Sequence, residues 1–164
     1  MPFTSTSTLS ASDMNNVLRG LHRDNTTYST SGTGEDDLAS FTMTGGTMSS
    51  TGAIVIFASG TISGTADQKD IDLYWGGSVI DTIVRNAAGT QDWSYIAIIS
   101  NTASNAQRIA IWRTTDSALT MEFDYTTAAI DTSANVIVKL TGECVNAADS
   151  VSQTKFEIFV VQIA

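Results

Sequence analysis

The sequence predicts an all-β protein, an antiparallel jelly-roll-like β-sandwich preceded by an N-terminal arm with a short helix. From Leu38 onwards, runs of alternating apolar and polar residues are separated about every ten residues by Gly, Ser, Thr, Asn or Asp. Such alternation buries one face of a strand, and short strands with frequent turns are typical of sandwiches. The first residues are polar and lack this alternation. We therefore divide the chain into an arm, residues 1–30, and a sandwich domain, residues 31–164.

The arm contains a pattern typical of a short amphipathic helix. Residues 10–13, Ser-Ala-Ser-Asp, offer side chains that cap a helix N-terminus, and Asp24 marks its expected end. Between them, four apolar residues at spacing i, i+3, i+4 and i+7 form one stripe: Met14, Val17, Leu18 and Leu21. Because so short a helix is marginal alone, we expect this stripe to dock on the sandwich domain, on copies of itself or on a partner.

The rest of the chain is predicted to be a linker followed by strands. Residues 26–37 are rich in Ser, Thr and Gly and are expected to have little structure. Gly76-Gly77 predicts a tight hairpin turn. The predicted strands are Leu38–Thr44, Ala53–Ser59, Asp70–Trp75, Val79–Val84, Trp93–Ile99, Gln107–Arg113, Leu119–Tyr125, Val136–Leu140 and Phe156–Ile163.

The charge balance argues against two classes of partner. The chain has 17 acidic and 8 basic residues, a formal net charge of -9. Nucleic acids and anionic lipids both attract basic surfaces, so we expect neither nucleic acid nor membrane as a partner. The N-terminus has no basic, apolar signal sequence. We therefore expect the protein to be made in a cytoplasm and to leave it by lysis or within an assembly.

Candidate catalytic and metal-binding residues are few, and we expect a non-enzymatic protein without cofactor or metal. His22 is the single histidine and lies in the predicted helix beside Arg23, where a surface or interface role is favoured. No Gly-x-Ser-x-Gly nucleophile motif occurs. Cys144 is the single cysteine, which excludes an intramolecular disulfide and, with one histidine, a zinc site. We expect Cys144 to be a small buried residue.

Two groups of residues leave alternatives open. The acidic run Glu35-Asp36-Asp37 could bind a hard cation, but a solvated loop or a patch facing another subunit is favoured. The tryptophans could form a sugar-stacking platform, but packing in the core or in a subunit interface is favoured for all three: Trp75, Trp93 and Trp112. A pair of catalytic carboxylates for glycoside hydrolysis cannot be chosen among so many acids.

Two segments carry a resemblance to a known family. They are residues 32–48, Gly-Thr-Gly-Glu-Asp-Asp-Leu-Ala-Ser-Phe-Thr-Met-Thr-Gly-Gly-Thr-Met, and residues 60–80, which include the hairpin Trp75-Gly-Gly-Ser-Val-Ile. Residues 90–93 and 105–108 continue the likeness. Together these segments resemble β domains in accessory proteins of tailed-bacteriophage virions: capsid decoration (cement), head-fibre or tail-fibre proteins. The resemblance implies homotrimers of sandwich domains, with an N-terminal arm that binds the particle.

The resemblance leads to two functional expectations. The first is a trimeric capsid decoration or cement protein, located in the virion after assembly in the host cytoplasm. Its partners would be copies of itself and the major capsid protein or another virion protein. The alternative is a tail-fibre or receptor-binding module that recognises a host surface glycan. The alternative predicts exposed aromatic side chains in a groove, whereas decoration predicts that the tryptophans are covered.

Overall fold

The computed structural model describes residues 19–114 and 120–161, and it confirms an all-β sandwich of two sheets. The described strands are β1 Arg19–Asp24, β2 Tyr28–Ser29, β3 Gly34–Met43, β4 Ala53–Ser63, β5 Lys69–Trp75, β6 Ser78–Arg85, β7 Gln91–Ala103, β8 Ala106–Thr114, β9 Met121–Ala128, β10 Val136–Cys144 and β11 Ser150–Val161.

The strands form a seven-stranded and a four-stranded antiparallel sheet. The larger sheet has the order β1-β11-β4-β7-β8-β9, with β2 also pairing with β11. The smaller sheet has the order β3-β10-β5-β6.

The hydrophobic core lies between the sheets and follows the predicted alternation. On β4, Ile54 and Ile56 point inward and are fully buried, as are Ile109 and Ile111 on β8. The residues between them on each strand are more accessible. Trp75 and Trp93 both belong to this core, with at most 1% of their surface exposed.

The helix prediction is wrong over residues 19–24, which form strand β1. This strand pairs with β11, Arg23 opposite Glu157, with a bulge at Leu21. Leu21 is half-buried and packs against the core. A short isolated helix has little stability of its own, whereas the open edge of β11 offers backbone hydrogen bonds to an added strand. These residues therefore form a strand. The other predicted helix residues, Met14, Val17 and Leu18, lie outside the described residues.

The linker prediction is also wrong over part of residues 26–37. Tyr28 and Ser29 form β2, and β3 begins at Gly34 rather than at Leu38. Strands β1 and β2, which fall within the predicted arm of residues 1–30, are therefore part of the seven-stranded sheet. The sequence did not predict these strands because residues 28–37 have low hydrophobicity. Their pairing depends on backbone hydrogen bonds and not on a pattern of buried side chains.

A fully buried ion pair joins the two sheets at one end of the sandwich. Lys69, the first residue of β5, places its Nζ 2.9 Å from Oδ2 of Asp149, which precedes β11, and neither side chain is exposed. The same ammonium donates to the carbonyl oxygens of Thr65 and Asp67, at 2.7 and 2.8 Å. A hydrogen bond from the Thr65 backbone, together with this ammonium, holds the pKa of Asp149 below its ordinary value.

Gly64 shows how tightly this junction is packed. Its φ of +123° lies in a region that favours glycine, and a Cβ there would fall 2.2 Å from Oδ1 of Asp149. The loop that carries Thr65 can therefore reach Asp149 only because residue 64 has no side chain.

We predict that Lys69→Met strongly destabilises the fold, because it leaves the Asp149 carboxylate buried without its cation. The expected loss is about 10 °C in the melting temperature Tm. The double variant Lys69→Met/Asp149→Asn should recover part of the lost Tm, since it no longer buries an uncompensated carboxylate charge. The matched control is Lys139→Met, in which a partly exposed ion pair is lost. An equal Tm for the two single variants would show that the buried pair does not hold the junction.

Candidate functional site

The outer surface of the seven-stranded sheet is lined with apolar side chains. Strand pairing aligns them in two rows that each cross five strands. The first row consists of Phe159, Val55, Ile98, Ala110 and Tyr125, and the second of Glu157, Phe57, Ile96, Trp112 and Phe123. We call these two rows, together with Met121, the apolar face.

The apolar face is most exposed at edge strand β9. Met121, Phe123 and Tyr125 expose 64%, 59% and 52% of their surface. Trp112 is half-buried and packs against Phe123, with ring centroids 5.1 Å apart. A large aromatic side chain has roughly 200 Å² of surface. These residues alone therefore approach the few hundred Å² at which an exposed apolar patch marks an interaction site.

The apolar face carries almost no net charge. Its two rows contain one ionisable acid, Glu157, which is 6% exposed. The Nε of Arg23 lies 2.8 Å from one Glu157 oxygen, and the Nζ of Lys155 lies 3.1 Å from the other. This carboxylate is therefore neutralised within the chain, and the face offers a partner apolar contact without an unpaired charge.

A shallow groove with hydroxyl groups adjoins the apolar face on the same side of the sheet. It has a volume of about 270 Å³ and is lined by Ser59, Gly60, Thr61, Asp92, Trp93, Ser94, Thr114 and Thr154. We call it the hydroxyl groove. Thr114 and Trp112 are two residues apart on β8, a separation of about 7 Å along a strand. The groove and the Trp112–Phe123 pair are thus close enough for one ligand to contact both.

The outer surface of the four-stranded sheet has the opposite character. One cross-strand row places Glu35 on β3, Glu143 on β10 and Asp70 on β5 side by side. The next row consists of Asp37, Thr141 and Asp72. We call these six residues the acidic face. Like charges directly opposite each other on neighbouring strands destabilise a sheet, so this arrangement has an energetic cost.

One lysine lies among these acids. The Nζ of Lys139 is 2.9 Å from Oδ1 of Asp37 and 3.4 Å from Oε1 of Glu35, and it lies 4.6 Å from the centre of the Tyr74 ring. The hydroxyl of Tyr74 donates to Glu35. No other ion pair involves this face among the described residues. The acids therefore outnumber their cations.

The electrostatic cost is visible at Asp72. Burial raises the pKa of its carboxyl, and the negative charges of Glu35 and Asp70 raise it further. A hydrogen bond from the Thr82 hydroxyl and the positive charge of Lys139 oppose this rise in pKa. Thr141, beside Asp72, is 1% exposed, and its hydroxyl oxygen has no hydrogen-bond partner among the described residues.

The structure separates the tryptophans that the sequence grouped together. Trp75 and Trp93 are core residues, as favoured, whereas Trp112 lies on the apolar face. Cys144 is buried and free, as predicted. His22 is half-buried, stacked on Phe41 with ring centroids 4.9 Å apart and edge-on to Phe156.

The acidic run Glu35-Asp36-Asp37 is part of a strand and not of a loop. Glu35 and Asp37 contact Lys139, and Asp36 accepts a hydrogen bond from the backbone of Ser31. Within residues 19–114 and 120–161, no group of three or more His, Cys, Asp or Glu side chains is placed to hold a metal ion. No helix in these ranges is long and apolar enough to cross a membrane.

Sequence reasoning missed the apolar face because alternation does not reveal which side of a strand faces the core. On β9 the acids alternate with the aromatics, and the aromatics would be expected inside. The structure reverses this, because Arg113 reaches from β8 to Glu122 on the inner side, at 3.2 Å, and also pairs with Asp81. This ion pairing turns the aromatic side of β9 outward.

Comparisons with known proteins give no family. The chain matches no family model and no curated protein. Among solved structures it is similar to arcelin-5, a lectin-like defense protein from Phaseolus vulgaris, at 7% identity and a TM-score of 0.48, over 88% of this chain and 91% of that one. It is also similar to lectin II from Ulex europaeus, at 10% identity and a TM-score of 0.42, over 68% of this chain and 74% of that one. A third similar structure is the CBM2 module of the evolved Dit of Lactobacillus casei BL23 phage J-1, at 8% identity and a TM-score of 0.41, over 76% of this chain and 70% of that one. Likenesses at these scores carry no argument about function.

We predict that Asp72→Asn stabilises the protein at pH 7. A folded-state pKa above the ordinary value of 3.8 means that the ionised carboxylate disfavours folding. That penalty is complete above the folded pKa and absent below the unfolded one, so the variant should raise Tm by about 2 °C at pH 7 and leave it unchanged at pH 3.

Asp131→Asn is the control variant, for which we expect the opposite change in Tm at pH 7. Hydrogen bonds from Ser133 lower the pKa of Asp131, so its carboxylate favours folding at neutral pH. This variant should lower Tm at pH 7. A fall in Tm at pH 7 for Asp72→Asn as well would contradict our description of the acidic face.

Proposed function

We propose that the protein is a non-enzymatic structural protein of a phage virion: a trimeric capsid decoration or cement protein that binds the shell and stabilises it. The observation that supports assembly is the apolar face, an exposed sheet surface without unpaired charge. The virion location rests on the sequence resemblance. Its partners are copies of itself and the major capsid protein or another virion protein.

The apolar face suits a permanent contact better than a transient one. Interfaces between identical subunits are more apolar than those of partners that associate and separate. Covering Phe123, which is 59% exposed, would remove about 120 Å² of apolar surface from water. This is worth about 3 kcal/mol for each contact.

The distribution of charge favours copies of the same chain as the partner. At a net charge of -9, two copies repel each other over most of their surfaces. The apolar face is where this repulsion is weakest, since Arg23 and Lys155 neutralise its one acid. A closed ring of copies would cover the face on every subunit without leaving an exposed end. That the ring has three subunits is implied by the resemblance to accessory proteins of phage virions.

In this proposal the N-terminal arm, residues 1–30, provides the contact with the shell. The predicted stripe of Met14, Val17 and Leu18 would contact the shell, just before β1 joins the sandwich. Many copies that each make one small contact would bind tightly together, because every attached copy raises the effective concentration of its neighbours.

We predict that Phe123→Ser disrupts self-assembly. Replacing the aromatic ring removes apolar contact from each interface and should weaken association roughly thirtyfold or more. The measurement is molar mass by light scattering over a concentration series. The control is Ile137→Ser, which changes a 47% exposed apolar residue on the four-stranded sheet. A wild type that remains monomeric at every concentration, or equal loss in both variants, would contradict the proposal.

A second candidate function is recognition of a host surface glycan by a tail-fibre or receptor-binding module. The specific observation that favours it is the hydroxyl groove beside Trp112 and Phe123. Hydroxyl groups and the Asp92 carboxylate can exchange hydrogen bonds with sugar hydroxyls, and aromatic rings give an apolar surface for a sugar ring. The two functions compete for the same side of the sheet, because a partner subunit on the apolar face would cover Trp112.

Antibody labelling of intact particles separates the two candidates. For a decoration protein we expect label spread in a regular lattice over the head in electron micrographs. Label confined to the tail tip would contradict decoration and favour glycan binding, in which case Trp112→Ala should abolish binding on a glycan array while Ile137→Ala does not. Label on neither structure would contradict a virion protein altogether.

A further inference from the structure

We infer that the acidic face is a docking site for a basic, extended polypeptide segment, with Lys or Arg side chains at every second residue. The inference goes beyond the proposed function, because the acidic face belongs to the other sheet and does not take part in the proposed self-assembly. It holds for any partner with this chemistry, and it does not depend on a virion location.

The first step is that the acids are placed at a cost that folding alone does not explain. Glu35, Glu143 and Asp70 are direct neighbours across three strands. Residues paired in this way have Cβ atoms about 5 Å apart, so three like charges repel one another. Solubility needs net charge, but it does not need that charge in adjacent cross-strand positions.

The second step is an orphaned hydroxyl within the acidic face. Thr141 lies on the outward side of β10, directly between Asp37 and Asp72. It is 1% exposed, and its Oγ1 has no hydrogen-bond partner within residues 19–114 and 120–161. A buried polar group without a hydrogen bond is costly. Its presence between two carboxylates indicates that a bound group completes the polar contacts there.

The third step is that Lys139 shows how an ammonium group fits this surface. Its Nζ bridges Asp37 and Glu35 and lies over the Tyr74 ring, so carboxylates and an aromatic ring hold the cation together. No ion pair with Asp70, Asp72 or Glu143 occurs among the described residues, although the Gln68 amide donates to both oxygens of Asp70. The chain thus places one ammonium group on this face and leaves the neighbouring carboxylates without an ion-pair partner.

The spacing favours a polypeptide over a metal ion. Acids on one strand are two residues apart, about 7 Å, which is also the spacing of alternate side chains in an extended peptide. Within residues 19–114 and 120–161, no three of these carboxylates are placed to hold one metal ion.

The test uses fluorescein-labelled decalysine as the probe, with the full-length protein, in fluorescence anisotropy at about 150 mM salt, where long-range attraction is screened. Glu143→Gln/Asp70→Asn should weaken binding about tenfold. The matched control, Asp92→Asn/Asp131→Asn, removes two exposed carboxylates outside the acidic face, and it should change affinity less than about twofold. Thr141→Val, which keeps shape and charge, should also weaken binding while leaving Tm equal or higher.

Three results would overturn the inference. Equal weakening in the two double variants would show attraction by net charge alone. No binding of decalysine by the wild type would show that the face is only solvated. Calorimetric binding of Ca²⁺ that is lost in Glu143→Gln/Asp70→Asn, without decalysine binding, would assign the face to a divalent cation instead.

Discussion

The buried pair of Lys69 and Asp149 is the constraint on which the geometry of the sandwich depends. It joins the start of β5 in the smaller sheet to the start of β11 in the larger one, with both side chains removed from solvent. A buried ion pair is weak support for stability unless its remaining hydrogen bonds are made. Here carbonyl oxygens saturate the ammonium, and Thr65 donates to the carboxylate. The pair therefore helps to hold one sheet over the other at this end of the sandwich, on whose two outer sides the core leaves different residues.

That placement divides the surface into two chemically distinct sides. The seven-stranded sheet turns an uncharged apolar face outward, whereas the four-stranded sheet turns rows of carboxylates outward. A protein that only needed to remain dispersed would gain nothing from the first and would lose stability through the second. We propose that each side binds a different surface: the apolar face a copy of the chain, and the acidic face a basic segment. Two independent binding sides are what a protein needs to connect components of an assembly.

Much of the fold could be predicted because burial follows a simple period. The strands around Ile54, Ile71 and Ile109 alternate clearly, and the Gly76-Gly77 hairpin is where the sequence puts it. The edge strands could not be predicted in the same way. Residues 19–24 have an apolar spacing that also fits a helix, and their conformation depends on the free edge of β11, whose paired residues are 132 to 141 positions away in sequence. Such long-range pairing is not encoded in a local pattern.

The candidate sites were less predictable than the fold. The position of Trp112 within a strand was clear, but core or interface packing was favoured for it, whereas Ile109 and Ile111 take the inward positions of that strand and leave Trp112 outward. The run Glu35–Asp37 was recognisable as acidic in the sequence. The acidic face, however, also needs Glu143 and Asp70, which come next to Glu35 only through strand pairing. In both cases the site consists of cross-strand neighbours, and register is a property of the whole sheet.

Hydrogen exchange at β9 tests the central claim, that copies of the chain associate through the apolar face, most directly. Backbone amides of β9, residues 121–128, should exchange slowly at high protein concentration and faster on dilution, because an edge strand covered by a partner is protected from water. In the Phe123→Ser variant they should exchange fast at every concentration. Fast exchange at β9 in the wild type, unchanged by concentration, would contradict self-association through this face.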